Sequence, residues 1–168
     1  IAATCGLQFL IGLFSALAAA ADEHALLGSG RGVLDGSGIE LIERIVDEAA
    51  VATCAEATGI AGVMVSQTVE YTKQRKQFGM PIAKFQVLQH RMSDMFCEAE
   101  QIASMALMGT LRLDEPAEAR KAAVSLAKAK VSRGLRIAGQ HAIQTHGGIG
   151  ITMELAIGRV PELANTGI

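Results

Sequence analysis

Twelve residues in the middle of the chain, Arg75 to Gln86 (RKQFGMPIAKFQ), gather side chains suited to holding a nucleotide. The Arg75 guanidinium is a planar fork of donors that matches a phosphate or pyrophosphate. Phe78 offers a face for a flat ring, Gly79 a tight turn, and Gln86 an amide that reads a ring edge or a ribose. The same residues also suit an ordinary helix-to-helix loop, with a solvated arginine and with Phe78 and Phe85 packed at the corner. A second stretch, Gln144 to Gly150 (QTHGGIG), closes a helical pattern with paired glycines. Bare glycines let a backbone approach a ligand without an intervening Cβ, and they equally make a plain helix stop. Since no strand precedes it, this is not the G-x-G-x-x-G dinucleotide fingerprint.

Other reactive types fall into no constellation. Cys5, Cys54 and Cys97 are odd in number, far apart and set among apolar residues, the pattern of reduced core thiols. His141 and His146 stand about 140° apart round a helix, so they cannot share one metal ion, and no metal site is predicted. Glu43, Asp47 and Glu48 read as a solvated helix face.

The elements that must carry these residues are helices. From Gly38 to Lys73 there is no proline, and apolar or small residues recur at helical spacing: Leu41, Ile45, Ala49, Ala52, Ala55, Gly59, Gly62 and Val63. A second helix begins near Lys84 with the stripe Leu88, Met92, Met95, Ala99, Ile102, Met105 and Gly109. Pro116 suits the first turn of a third, whose stripe is Val124, Ala127, Val131, Leu135, Ala138 and Ala142, with Arg120 and other cations mostly on other faces. Part of a fourth opens at Thr152 and is cut short by Pro161. Short connections between long helices predict an all-α, antiparallel up-down four-helix bundle over residues 38–168.

Residues 1–37 read as the remnant of a preceding β-domain or as unstructured chain. Ile1 to Ala21 carries no charge and is long enough to cross a bilayer. Gly, Thr, Gln and Ser interrupt it and no basic flank precedes it, so it reads as buried core of a larger protein, and a membrane role is not expected. The chain opens on Ile rather than Met, which reads as a fragment or a processed product. Hydrophobic residues make up 50% of the chain but aromatics only 4%, favouring packed helices over a β-sandwich. With 15 Lys+Arg against 17 Asp+Glu there is no basic excess to attract nucleic acid.

Taken together, YTKQRKQFGMPIAKFQVLQHRMSDM (Tyr71 to Met95) and AIQTHGGIGITMEL (Ala142 to Leu155) resemble the C-terminal α-helical domain of the acyl-CoA dehydrogenases. AEATG (Ala55 to Gly59) and QHRMSDM look most like the small-subunit branch, whose members act on dicarboxylic or steroid-derived thioesters in heteromeric assemblies. The resemblance implies FAD as cofactor, held in part by a neighbouring subunit. Arg75 would bind the pyrophosphate, Gln77, Phe78 and Gln86 would line the adenosine half, and Gln144, Thr145, His146, Gly147 and Gly148 would present backbone to the same flavin.

The implied reaction is α,β-dehydrogenation of an acyl-CoA thioester, with a carboxylate removing the α proton. In most members that glutamate would fall beyond Ile168. A minority branch places it at the position of Ala49, and the adjacent Glu48, turned about 100° away, is only a weak candidate. After Gly158 the run RVPELANTGI departs from the pattern. The expectation is therefore part of an FAD-dependent acyl-CoA dehydrogenase, cytoplasmic, a homo- or hetero-oligomer through its helical domain, and incomplete or inactive alone. The alternative is a catalytically silent helical assembly subunit or degenerate fragment.

Overall fold

The computed structural model describes residues 38–151. The proline-free stretch forms one helix, α1 (Gly38–Gln74). Gly79 and Pro81 forbid its continuation. The chain instead turns through a hairpin, β1 (Lys76–Gln77) paired with β2 (Met80–Pro81), and a 3-10 turn, Ile82–Lys84, into α2 (Gln86–Leu111). After the turn around Asp114, Pro116 caps α3 (Ala117–His146), which passes into a 3-10 turn at Gly147–Ile151.

Cross-helix pairs fix the directions. Asp47 meets Arg120 near the starts of α1 and α3, and Tyr71 meets His146 at their ends, so these two helices run parallel. Thr72 meets Met92 while Gly109 faces Val51, and Arg91 meets His141 while Gly109 faces Ala127, so α2 runs antiparallel to both. The result is an up-down-up arrangement of three helices among the described residues. The fourth expected helix, from Thr152, lies outside them, as do residues 1–37 with the uncharged Ile1 to Ala21. Among the described residues the hairpin is the one departure from an all-α reading.

The core is Cys54, Ala57, Ala61 and Met64 from α1, Met95, Ile102 and Ala106 from α2, and Val131, Leu135, Ala138 and Ala142 from α3. Alanine dominates because the helices lie close. A Cβ added at Gly134 would stand 2.9 Å from Ile102 Cγ1 and 2.9 Å from Glu98 Oε2.

Four expectations need correction, the first being the solvated face read for Glu43, Asp47 and Glu48, since Asp47 is buried and the Glu48 side chain is only 14% exposed. The α2 and α3 stripes face inward, but on α1 the buried line is Asp47, Val51, Cys54, Ala61, Met64, Thr68 and Thr72, while Ile45, Ala49, Gly59, Gly62 and Val63 are exposed. Apolar residues cover so much of this helix that spacing alone picks the wrong face, and the true one is disguised by polar residues. Asp47 can be buried because Arg120 neutralises it, and Thr72 because its hydroxyl donates to Val69 O at 2.8 Å. Arg120 accordingly lies on the buried face of α3, one turn before Val124. Cys97 is exposed, so only Cys54 of the two described cysteines is a core thiol.

Candidate functional site

Where α1 ends, the Arg75 N–H donates to Tyr71 O at 2.9 Å, and Arg75 O accepts from Ile82 N–H at 2.9 Å, tying the hairpin base to the helix. The ladder pairs Lys76 with Pro81 and Gln77 with Met80, leaving Phe78 and Gly79 as a two-residue turn. Both are left-handed, with φ of 54° and 79°, the type I′ geometry that suits the twist of a hairpin. Glycine adopts it freely, whereas for a residue with a Cβ it costs about 1–2 kcal/mol. Phe78 bears that cost while 87% of the residue is exposed, its ring touching that of Phe85 edge-on at a centroid distance of 6.1 Å. The Phe85 contact offsets only part of that cost, and strained positions of this kind gather where ligands bind.

Around this tip Arg75, Gln77 and Gln86 are exposed, and among the described residues the Arg75 guanidinium makes no ion pair. No acid occurs between Glu70 and Asp94, while Lys73, Arg75, Lys76, Lys84 and Arg91 all do, so the hairpin segment is locally positive. Gln86 opens α2, whose first N–H groups have no side-chain cap. They add a partial positive charge at the same place.

At the end of α3, Gln144 is exposed while Thr145 is buried and its hydroxyl donates to His141 O at 2.7 Å. His146 is also buried. Its Nδ1 lies 2.8 Å from Ala142 O, and since a carbonyl only accepts, Nδ1 carries the proton. Gly147 follows at φ 67° and ψ −144°, a region closed to side chains, and its N–H donates to Ile143 O. Cβ atoms built on Gly147 or Gly148 meet nothing within 4 Å, so bare backbone faces open space. Gly150 is packed inward, where a Cβ would stand 2.8 Å from Ile143 O.

The two loops lie at the same end of the bundle, where the helices that carry them touch. The Tyr71 ring, one turn before Arg75, stacks on the His146 imidazole with centroids 4.3 Å apart and planes at 28°. The Tyr71 hydroxyl donates to His146 O at 3.4 Å. Sequence reasoning gave Tyr71 no role, although its place one helical turn ahead of the guanidinium marked it. Glu48 lies toward the other end, about 40 Å along α1 from Arg75 at 1.5 Å per residue. Its Oε1 accepts from Arg44 Nε at 3.0 Å.

A family model described as the acyl-CoA dehydrogenase C-terminal domain matches residues 36–164. The chain belongs to the acyl-CoA dehydrogenase family. Acyl-CoA dehydrogenase IpdE2 of Mycobacterium tuberculosis is 40% identical over 110 residues, 66% of this chain and 33% of that protein. Butyryl-CoA dehydrogenase of Megasphaera elsdenii superposes with a TM-score of 0.70 at 28% identity, over 77% of this chain and 33% of that one. PigA, solved with FAD and proline, gives 0.61 at 31% identity, over 68% of this chain and 30% of that one. The chain thus spans about a third or less of the curated acyl-CoA dehydrogenases it matches, and the helices and loops described above are those of the acyl-CoA dehydrogenase C-terminal domain.

Proposed function

We propose that this chain forms one half of an FAD cradle in an acyl-CoA dehydrogenase catalysing α,β-dehydrogenation of an acyl-CoA thioester. The observation that carries the reading is the Tyr71–His146 contact, which puts the Arg75 hairpin and the Gly147–Gly148 turn at the same end of the bundle. What those loops present fits a dinucleotide: a guanidinium without an ion pair among the described residues, an exposed ring, exposed amides and bare backbone, in a segment free of acid.

Arg75 holds the pyrophosphate through its fork, and Phe78 lies against the adenine. Gln77 and Gln86 bond the adenosine half, and residues 144–148 offer peptide groups to the same ligand, Thr145 and His146 through their backbone. When bound, FAD supplies the acceptor for the hydride that leaves the β carbon. The cradle faces outward, so the cofactor is shared with a neighbouring subunit, of the same or another kind, in the cytoplasm. Abstraction of the α proton is assigned to a carboxylate outside residues 38–151, because Glu48 is engaged by Arg44 far from the cradle.

The test is Arg75→Ala, read by equilibrium titration with FAD and by flavin retained after gel filtration. Hydrogen bonds to a charged group are worth about 1.5–3 kcal/mol, so affinity falls at least tenfold while the helical circular dichroism stays unchanged. Unaltered FAD affinity overturns the reading and leaves an assembly subunit.

A further inference from the structure

We propose that Tyr71 is the positioning residue of this cradle: its ring, stacked on His146, sets the separation of the Arg75 hairpin from the Gly147–Gly148 turn before any ligand arrives. This rests on the FAD reading above and adds a residue to it.

The contact is built from both sides. Tyr71 belongs to the last turn of α1, and its carbonyl receives the Arg75 N–H at 2.9 Å, so the orientation of its peptide governs where the hairpin leaves the helix. On α3 the imidazole cannot swing freely, since Nδ1–H is anchored to Ala142 O at 2.8 Å. A ring tethered to its own helix and stacked at 4.3 Å on a ring of the other helix transmits position between them. The His146 carbonyl, at a helix end where carbonyls lack intrahelical donors, receives the Tyr71 hydroxyl. Gly147, the next residue, then turns left-handed and exposes its peptide. At 3.4 Å the hydroxyl bond is long, so the stack is the stronger of the two links.

Separate surfaces that must grip one dinucleotide bind it more tightly when their spacing is fixed in advance, because the ligand need not order them. Tyr71 does this without touching the ligand. In the 168-residue chain, Tyr71→Leu weakens FAD binding at least tenfold, with helicity and urea midpoint measured alongside, and Tyr71→Phe, which keeps the stack, binds within threefold of wild type. His146→Leu removes the same stack from the other side and gives the same loss. Combined with Tyr71→Leu it costs no more than a further twofold, whereas independent losses multiply.

The inference is overturned if folded Tyr71→Leu binds FAD like wild type, if Tyr71→Phe loses as much as Tyr71→Leu, or if the two Leu variants are additive. Should Tyr71→Leu not fold, His146→Leu and Tyr71→Phe decide by the same thresholds. Arg75→Ala titrated beside them separates the two readings. If it too leaves affinity unchanged, the FAD assignment itself fails; if it weakens binding while Tyr71→Leu does not, only the positioning role falls.

Discussion

Arg120 Nε donates to Asp47 Oδ2 at 2.8 Å across the seam between α1 and α3, with only 9% and 12% of the two side chains exposed. This ion pair holds the starts of two parallel helices together, as Tyr71 and His146 hold their ends. A buried pair of this kind adds little net stability, because desolvating two charges offsets most of their attraction, but losing one partner strands the other.

Asp47→Ala should therefore destabilise the chain by about 3–5 kcal/mol in urea unfolding. The double replacement Asp47→Leu with Arg120→Met should recover most of that loss, since neither charge then remains. A single variant within about 0.5 kcal/mol of wild type would show that water reaches the pair.

Two helix glycines should respond in opposite directions. Gly134→Ala drives a Cβ to 2.9 Å from Ile102 and Glu98, and overpacking of this kind costs about 1–3 kcal/mol. Gly62→Ala meets nothing within 4 Å on an exposed helix face and should stabilise by about 0.5–1 kcal/mol. Thermal and urea midpoints of the two variants check both signs.

Phe78 should show stability and binding in conflict. Asn-Gly is the preferred pair for a two-residue turn of this hand, so Phe78→Asn relieves left-handed strain and raises stability by about 0.5–1 kcal/mol. The same change removes the ring, and base-aromatic stacking is worth about 1–3 kcal/mol, so FAD affinity falls roughly tenfold. A variant that gained stability and kept its affinity would remove Phe78 from the cradle.

The two described cysteines should react differently. Cys97 is exposed and should be alkylated by iodoacetamide at once, whereas Cys54 should react only on unfolding, as read by peptide mapping. Burial raises the Cys54 thiol above its ordinary value of 9.0, partly opposed by Lys128. The unfolded chain then ionises first as pH rises. Stability from this group is intact below that ordinary value and is lost as pH rises toward the higher folded one. Urea midpoints at pH 8 and pH 10 should fall less for Cys54→Ala than for wild type.

Much of this molecule was legible in the sequence because its signals were local. Pro116, the paired glycines and the stripes from Leu88 and from Val124 each mark an element by chemistry within a few residues. The buried face of α1 was not legible, because a helix apolar on most sides has no single face to read. Asp47 and Thr72 lie inward there by virtue of an ion pair and an internal bond that folding supplies, whereas Thr68 Oγ1 is buried with no hydrogen-bond partner among the described residues. The candidate site residues came from the resemblance of the two loops to the acyl-CoA dehydrogenase C-terminal domain, since each loop alone reads equally as an ordinary connection. Their convergence depends on residues 71 and 146, whose contact no spacing rule links.

Tyr71 is the chain's only tyrosine, and there is no tryptophan. Nearly all of the protein's near-ultraviolet emission therefore originates at the junction of the two loops. The molecule carries its own optical reporter there, so the state of the clasp can be followed in unlabelled protein while the rest of the bundle stays dark.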